Sequence, residues 1–282
     1  MDAFRNVWLK TVIGHRGNMI HGGYDMTKII MHGCNGRMGR VIADIVKADQ
    51  DSEIVAGIDI AESEMEFPVF TDIEACDIAA DVIIDFSSPK ALDSLLKYAE
   101  KKSLPIVLCT TGFTSEQLDQ IREHSQKAAI LKSANMSMGI NTIIKLLKDA
   151  ANVFVPAGYD VEIVEQHHNQ KLDAPSGTAL ALADAINDAR NGEFTYVYDR
   201  SQVRQKRDKK ELGISAVRAG NIPGTHEVFF AGPDELIEIK HIAYSRNIFG
   251  NGAVNAAKFL AGKKPGMYDM SDVIADMTGT IE

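Results

Sequence analysis

The chain has 282 residues, enough for one large domain or two of ordinary size, and 45% of them are hydrophobic, enough to build a buried core. Its net charge of −9 excludes a general nucleic-acid binder and a protein held on an anionic membrane surface, so any site for an anion must be locally basic. Three cysteines (Cys34, Cys76 and Cys109) are too few and too scattered for a disulfide framework or a zinc site, which points to a reducing cytoplasm, and no apolar run approaches the roughly 20 residues of a membrane span.

Residues 1–26 contain Asp2, Arg5, Lys10, His15 and Arg16, which interrupt any apolar stretch, so they form no secretory signal. Met26 stands directly before the first convincing strand. Residues 1–26 are therefore expected to be a leader from a mis-assigned start, disordered or not native, with no part in catalysis.

Residues 28–33 read as a short buried strand, followed at once by Gly33, Cys34, Asn35, Gly36, Arg37, Met38 and Gly39. Apolar spacing (Met38, Val41, Ile42, Ile45, Val46) predicts a helix over 37–48, and 53–59 reads as a second strand ending in Asp59. Three glycines three apart between strand and helix, with an acid about 20 residues beyond the turn, are the pattern of a dinucleotide site. The turn lets backbone approach a pyrophosphate, and the acid suits a ribose hydroxyl. Alone, the glycines would be an ordinary tight turn; this context favours the ligand.

The alternation continues with a strand at 81–86, a helix capped by Ser87, Ser88 and Pro89 that runs to about Lys101, and a strand at 105–110. A helix opens at Thr114, and a short strand occupies 129–133. These elements predict a mostly parallel sheet with helices on both faces, whose ligands lie beyond the carboxyl ends of its strands. Cys109, Thr110, Thr111 and Gly112 form one such end and Ser133, Ala134, Asn135 and Met136 another, so both are assigned to the cofactor. Either could equally be a connecting turn if taken by itself.

A long helix over 136–155 bridges into a second unit. There a strand at 159–165 leads to His167, His168, Lys171 and Asp173, and then to Ser176, Gly177 and Thr178 at the start of a helix over 178–189. Histidine exchanges protons near neutral pH, lysine can donate a proton or hold an anion, and a helix N-terminus favours a carboxylate. This stretch reads as a pocket for a small acidic substrate with a proton donor beside it. Adjacent strand residues point to opposite faces, so His167 and His168 do not suggest a metal pair, and no metal is expected. Asp173 is expected to fix the loop by local hydrogen bonds.

Strands at 214–219, 227–231 and 236–244 follow with short connections, which suggests an open antiparallel or mixed sheet whose exposed face is covered by self-association. The basic run 204–210 reads as a solvated loop. A helix is expected over 251–260, and the tail, with Val273, Ile274 and Met277, could pack back on the first domain.

The residues from His167 to Thr178, and on to Ala179, resemble the signature of the dihydrodipicolinate reductase family of the lysine and diaminopimelate pathway. The turn from Gly33 to Gly39, the segment Arg218 to Gly220 with Gly224 and His226, and Ser245, Arg246, Phe249, Gly252 and Ala253 agree with it. The resemblance runs from Lys28 to about Leu260. It implies an α/β protein with a Rossmann-type dinucleotide-binding domain (27–136 and 246–282) and a second α+β domain (137–245) with an open mixed sheet, which binds substrate and forms a homotetramer. It also implies reduction of dehydrated 4-hydroxy-tetrahydrodipicolinate, a small dicarboxylate, with NADH and/or NADPH. Carried over to this chain, His167 would be the catalytic proton donor or its relay and Lys171 the second donor. His168, Lys171, Ser176, Gly177 and Thr178 would hold a substrate carboxylate, and Arg246 matches an arginine near the site.

The chain departs from the family at Cys109, where glycine is common, and at Ser87, where threonine is usual. Ile60 follows Asp59 where several members carry a basic residue for a 2′-phosphate, so NADH is expected to serve at least as well as NADPH. Arg37 could still reach a phosphate. Two rival readings are a thioester-forming aldehyde dehydrogenase with Cys109 as nucleophile, and a non-catalytic sensor of NADH.

Overall fold

The structure, a computed structural model, describes residues 26–133 and 135–279. The expected leader over 1–25, Ala134 of the second cofactor loop and the tail residues 280–282 lie outside the described residues.

In the first half, strand β1 (Thr27–His32) ends in four consecutive buried residues, as a strand covered on both faces requires. Helix α1 (Arg37–Ala48) turns its apolar stripe inward, burying Gly39, Ile42 and Val46. Strand β2 (Ser52–Ile58) pairs parallel with β1 and is followed by the two-residue β3 (Val69–Phe70), which sequence patterning missed. Strand β4 (Val82–Asp85) leads through a 3₁₀ turn capped by Ser88 into α2 (Leu92–Lys102). Then come β5 (Ile106–Leu108), α3 (Ser115–His124) and β6 (Ala129–Lys132). At the start of α3 the Thr114 side chain accepts from the Gln117 N–H while the Gln117 side chain bonds back, so two otherwise orphan donors are satisfied.

Helix α4 (Met138–Phe154), capped by Ser137, carries the chain into the second unit. That unit contains β7 (Asp160–His167), α5 (Gly177–Ala189), β8 (Thr195–Val197), β9 (Glu211–Arg218), β10 (Thr225–Ala231) and β11 (Leu236–Ile242). The chain ends with α6 (Asn247–Leu260), β12 (Gly266–Tyr268) and α7 (Met270–Thr278). Helix α6 begins four residues earlier than its apolar spacing suggested: Phe249 packs on the first core, and the buried Gly250 and Gly252 that follow weaken the periodic signal.

Two sheets organise these elements. The first is seven-stranded with order β12-β6-β5-β4-β1-β2-β3, and every pairing in it is parallel. Its strand order reverses between β1 and β4, so the glycine turn after β1 opens at the switch point where such sheets bind ligands. The second sheet is five-stranded, order β11-β10-β7-β9-β8; β10 runs antiparallel to β7 and β11, while β9 runs parallel to β7 and β8. The expected fold class, a Rossmann-type sheet beside an open mixed sheet, is borne out.

The C-terminal segment returns to the first sheet. Strand β12 pairs with β6, and Met270 and Val273 of α7 are fully buried in the same core as Ile29, Ile84 and α6. Side chains buried to this degree contribute about 1.5–3 kcal/mol each, so this return is a strong anchor.

In the second sheet one face packs on α4 and α5. Residues 161 and 163 of β7 alternate inward beside Leu212, Ile214, Val228 and Phe230. The other face exposes Val217, Leu236 and Ile242. The basic run 204–210 is not uniformly solvated. Arg207 is mostly buried, with its guanidinium on Asp160 (2.8 Å), Glu162 (2.8 Å) and the Val161 carbonyl (3.0 Å). Charge density predicted a solvated loop; an arginine able to satisfy several acceptors at once instead clamps β7 to β9.

Candidate active site

Inner-face rows run across the second sheet in register. Val161 faces Phe230, Ile163 faces Val228, and Glu165 faces His226, which in turn faces His241. The row nearest the first sheet is thus ionisable where the rows behind it are apolar. His167, two residues beyond Glu165, ends β7 on the same face. Its Nδ1 lies 2.6 Å from a Glu165 carboxylate oxygen.

Glu165 is fully buried and has every acceptor position in use. Arg218 donates to both of its oxygens at 2.7 Å, and the Ser176 N–H donates at 2.9 Å. Burial pushes the Glu165 carboxyl upward, but Arg218 and His167 outweigh it and hold the group below the usual carboxylate range. Burial also pushes the His167 imidazole below its ordinary value, with Glu165 opposing the shift.

Beyond His167 the chain leaves the strand, so strict alternation ends and His168 lines the same cavity as His167. A turn closed by the Lys171 N–H on the His168 carbonyl (3.1 Å) brings Lys171 round to that cavity. The Lys171 ammonium stands 2.9 Å from Asp173 and holds its carboxyl below the usual range, with the Gly177 N–H assisting. Asp173 acts within the loop, in line with its expected structural role. At the helix start, Ser176 caps α5 by accepting the Ala179 N–H (3.1 Å), and its Oγ lies 3.0 Å from His226 Nε2.

These groups form one wall of a cavity of about 800 Å³. His167, His168, Lys171, Ser176, Gly177 and Thr178 come from the second unit. Thr110, Thr111, Gly112 and Ser133 come from the strand ends of the first. Arg246 and Phe249, at the start of α6, also line it. Asn135 Nδ2 donates to Thr178 Oγ1 at 3.0 Å, which joins the two walls directly. The Met136 and Cys109 side chains are buried in the first core and do not line this cavity. Burial, with Asp85 nearby, pushes the Cys109 thiol well above its ordinary value. A buried, protonated thiol away from the cavity removes the thioester reading.

A second cavity of about 740 Å³ lies at the switch point and is lined by Gly33, Asn35, Gly36, Asp59, Ile60 and Ser87, among others. Asp59 accepts from the N–H groups of Asn35 (2.9 Å) and Ile60 (2.8 Å), so its carboxylate is fixed at the end of β2. Gly33 has φ +84°, a conformation that favours glycine, and a Cβ at Gly39 would lie 2.3 Å from the Gly33 carbonyl oxygen. Both glycines are therefore needed for a turn this tight. Arg37 is exposed at the start of α1, Met38 is half-buried and Cys34 is fully buried, and none of these three expected cofactor residues lines the cavity.

Sequence reasoning overlooked Glu165 and treated Arg218 and His226 only as parts of a motif. The alternation Val161, Ile163, Glu165, His167 carried the signal: a carboxylate at an inward position must have partners. Burial pushes His226 down to about 4, with His167 adding to the shift. A histidine lowered in the folded state contributes stability that is full above the unfolded value near 6.5 and is lost as pH falls toward 4. That interval corresponds to about 3 kcal/mol. Thermal melts from pH 7 to 4 should therefore show a loss that is reduced in His226→Gln; an identical acid slope in both proteins would refute it.

Residues 27–136 match the family model described as dihydrodipicolinate reductase, N-terminus, and residues 139–274 match its C-terminus. The chain is 49% identical over 249 residues to the 4-hydroxy-tetrahydrodipicolinate reductase of Caldanaerobacter subterraneus subsp. tengcongensis, covering 88% of this chain and 98% of that one. The chain belongs to the dihydrodipicolinate reductase family. The reductase of Clostridium novyi is 50% identical over 250 residues, with the same coverage. A dipicolinate-bound dihydrodipicolinate reductase from Paenisporosarcina sp. TG-14 superposes with a TM-score of 0.74 at 26% identity, covering 88% of this chain and 99% of that one. In this family member His167, His168, Lys171 and Ser176 to Thr178 line the first of the cavities just described, and Gly33, Asn35, Gly36 and Asp59 line the second.

Proposed function

We infer that the chain is a 4-hydroxy-tetrahydrodipicolinate reductase, an NAD(P)H-dependent oxidoreductase of lysine and diaminopimelate biosynthesis. The observation that carries this reading is the convergence of His167, His168, Lys171 and the Ser176–Thr178 turn on one wall of a cavity whose other wall is the strand ends of the dinucleotide sheet. A dicarboxylate in that cavity meets the Lys171 ammonium and the N–H groups at the start of α5. Relatives carry the name of this reaction, and one solved relative is described as dipicolinate-bound, which supports a small dicarboxylate as substrate.

A reduced nicotinamide supplies the hydride when bound. Gly33, Asn35, Gly36 and Asp59 would hold its adenosine and phosphate end, and the loops at Thr110–Gly112 and Ser133 its reactive end. The residues of the second unit do the rest. Lys171 offsets the negative charge that develops on the substrate ring, and Lys171 or His167 delivers a proton to the carbon beside the site of hydride addition. The fixed Asp59 carboxylate suits a free ribose hydroxyl, and Ile60 next to it is almost fully exposed and brings no cation. NADH therefore serves at least as well as NADPH.

The proposed assembly is a homotetramer formed through the open face of the second sheet, where Val217, Leu236 and Ile242 are exposed. No helix among the described residues is long and apolar enough to cross a membrane.

The test is to follow nicotinamide absorbance with freshly made substrate and each cofactor, using a preparation whose mass light scattering reports as four subunits. Oxidation of NADH at a kcat/KM at or above that for NADPH is expected. No oxidation of either cofactor would reject the enzyme in favour of a sensor, and strict use of NADPH would reject the role given to Asp59 and Ile60.

A further inference from the structure

We infer that Glu165, held in place by Arg218, is a positioning residue for His167: it keeps the neutral ring's proton on Nδ1, so that Nε2 is the nitrogen that exchanges protons with the substrate. This rests on the reductase reading and adds to it a residue that acts through another. The geometry is closed on every side. A fully buried carboxylate 2.6 Å from His167 Nδ1 can only accept there, so the neutral imidazole must place its hydrogen on Nδ1. The two remaining partners of Glu165, Arg218 and the Ser176 N–H, are donors as well, so no proton on the carboxylate is called for by the network.

Arg218 has a second task. Its guanidinium also donates to the Asp173 carbonyl at 2.5 Å, and the residue just beyond the strand bonds to β7, with the Ala219 N–H donating to the His167 carbonyl at 2.9 Å. One side chain thus ties the carboxylate under His167 to the loop that carries Lys171, so the two proton-bearing groups are held in a common frame. Opposite the ring, a Cβ at Gly224 would lie 3.1 Å from His167 Nε2. The nitrogen is left clear on that side only because residue 224 has no side chain. In the proton step the ring carries a second proton on Nε2, gives it to the substrate carbon, and returns to the neutral form with its hydrogen still on Nδ1. No further reactant is needed beyond the hydride that the proposed reaction already uses.

The groups facing His167 are Glu165 on its own strand, Arg218 on β9, His226 on β10 with its ring 5.2 Å away, and Lys171 in the loop. Burial, Lys171 and Arg218 disfavour a charged ring, Glu165 favours it, and His226, itself held neutral by burial, adds no charge. Glu165→Gln should therefore move the limb of the kcat–pH profile that belongs to His167 toward lower pH. It should also lower kcat by about a hundred- to ten-thousandfold, the scale of the loss when the carboxylate that sets a proton-transferring histidine's tautomer is replaced by an amide. NADH affinity should be unchanged, and Glu165→Asp should recover part of kcat.

Nitrogen NMR of the wild-type protein with labelled histidine provides a readout independent of turnover and of whether the variants fold. A neutral His167 with its proton on Nδ1 is expected; a proton on Nε2 would overturn the inference. A Glu165→Gln enzyme with wild-type kcat and an unmoved limb would overturn it too. If the wild type itself oxidises no reduced nicotinamide with substrate present, the reductase reading fails while the NMR result still decides the tautomer.

Discussion

Lys171→Ala should lower kcat by about 10²–10⁴-fold, the range associated with loss of a general acid. It should raise KM for the dicarboxylate as well, because the same ammonium lines the cavity where a carboxylate would sit. NADH affinity should change little, since the glycine turn and Asp59, which would hold the adenosine and phosphate end, lie in a separate cavity. Lys171→Arg separates the two contributions. Arginine keeps the positive charge but is not deprotonated in proteins, so it can hold a carboxylate and cannot act as a proton donor. Recovery of KM without recovery of kcat identifies Lys171 as a donor, whereas recovery of both identifies it as a charge alone. An alanine variant with unchanged kcat would end the assignment altogether.

Gly252→Ala should be the most damaging of the small substitutions. Helix α6 crosses the loop after β6 so closely that a Cβ at position 252 would lie 1.7 Å from the Met136 carbonyl oxygen. That neighbour is backbone, so neither a rotamer change nor a flexible side chain can relieve the clash. The helix or the loop must move. Both belong to the cavity walls: Arg246 caps α6 and Phe249 lies in its first turn, and the loop carries Ser133 and Asn135. We expect a loss of about 3 kcal/mol, at the upper end for overpacking. For a chain of this size that is a fall in Tm on the order of 5–10 °C. Weaker NADH binding should accompany it. A variant with unaltered Tm would show that the helix can slide without cost.

The glycine turn, Asp59, the start of α3 at Thr114 and the stretch from His167 to Thr178 were legible because each is a local pattern. Strand, turn and helix are neighbours in sequence, and the physics that requires glycine or a cap acts over a few residues. Short strands were less legible. β3 has two residues and β12 three, too few for any period to register, and each exists because a neighbouring strand offers a free edge. Arg207 misled for a related reason: its run of charges looks solvated until Asp160, Glu162 and the Val161 carbonyl, more than 40 residues away, are brought beside it.

Sequence alone therefore determined the two-sheet α/β architecture, the glycine turn at the first strand's end and the identity of the imidazoles and ammonium that bear the chemistry. Tertiary structure decided what those groups are paired with. Glu165 meets Arg218 across 53 residues and Ser176 meets His226 across 50, and pairing of β7 with β9 and β10 alone creates those contacts. The reason is physical: a side chain's proton affinity depends on the charges, donors and burial within a few ångströms of it, and those neighbours are chosen by strand register rather than by distance along the chain.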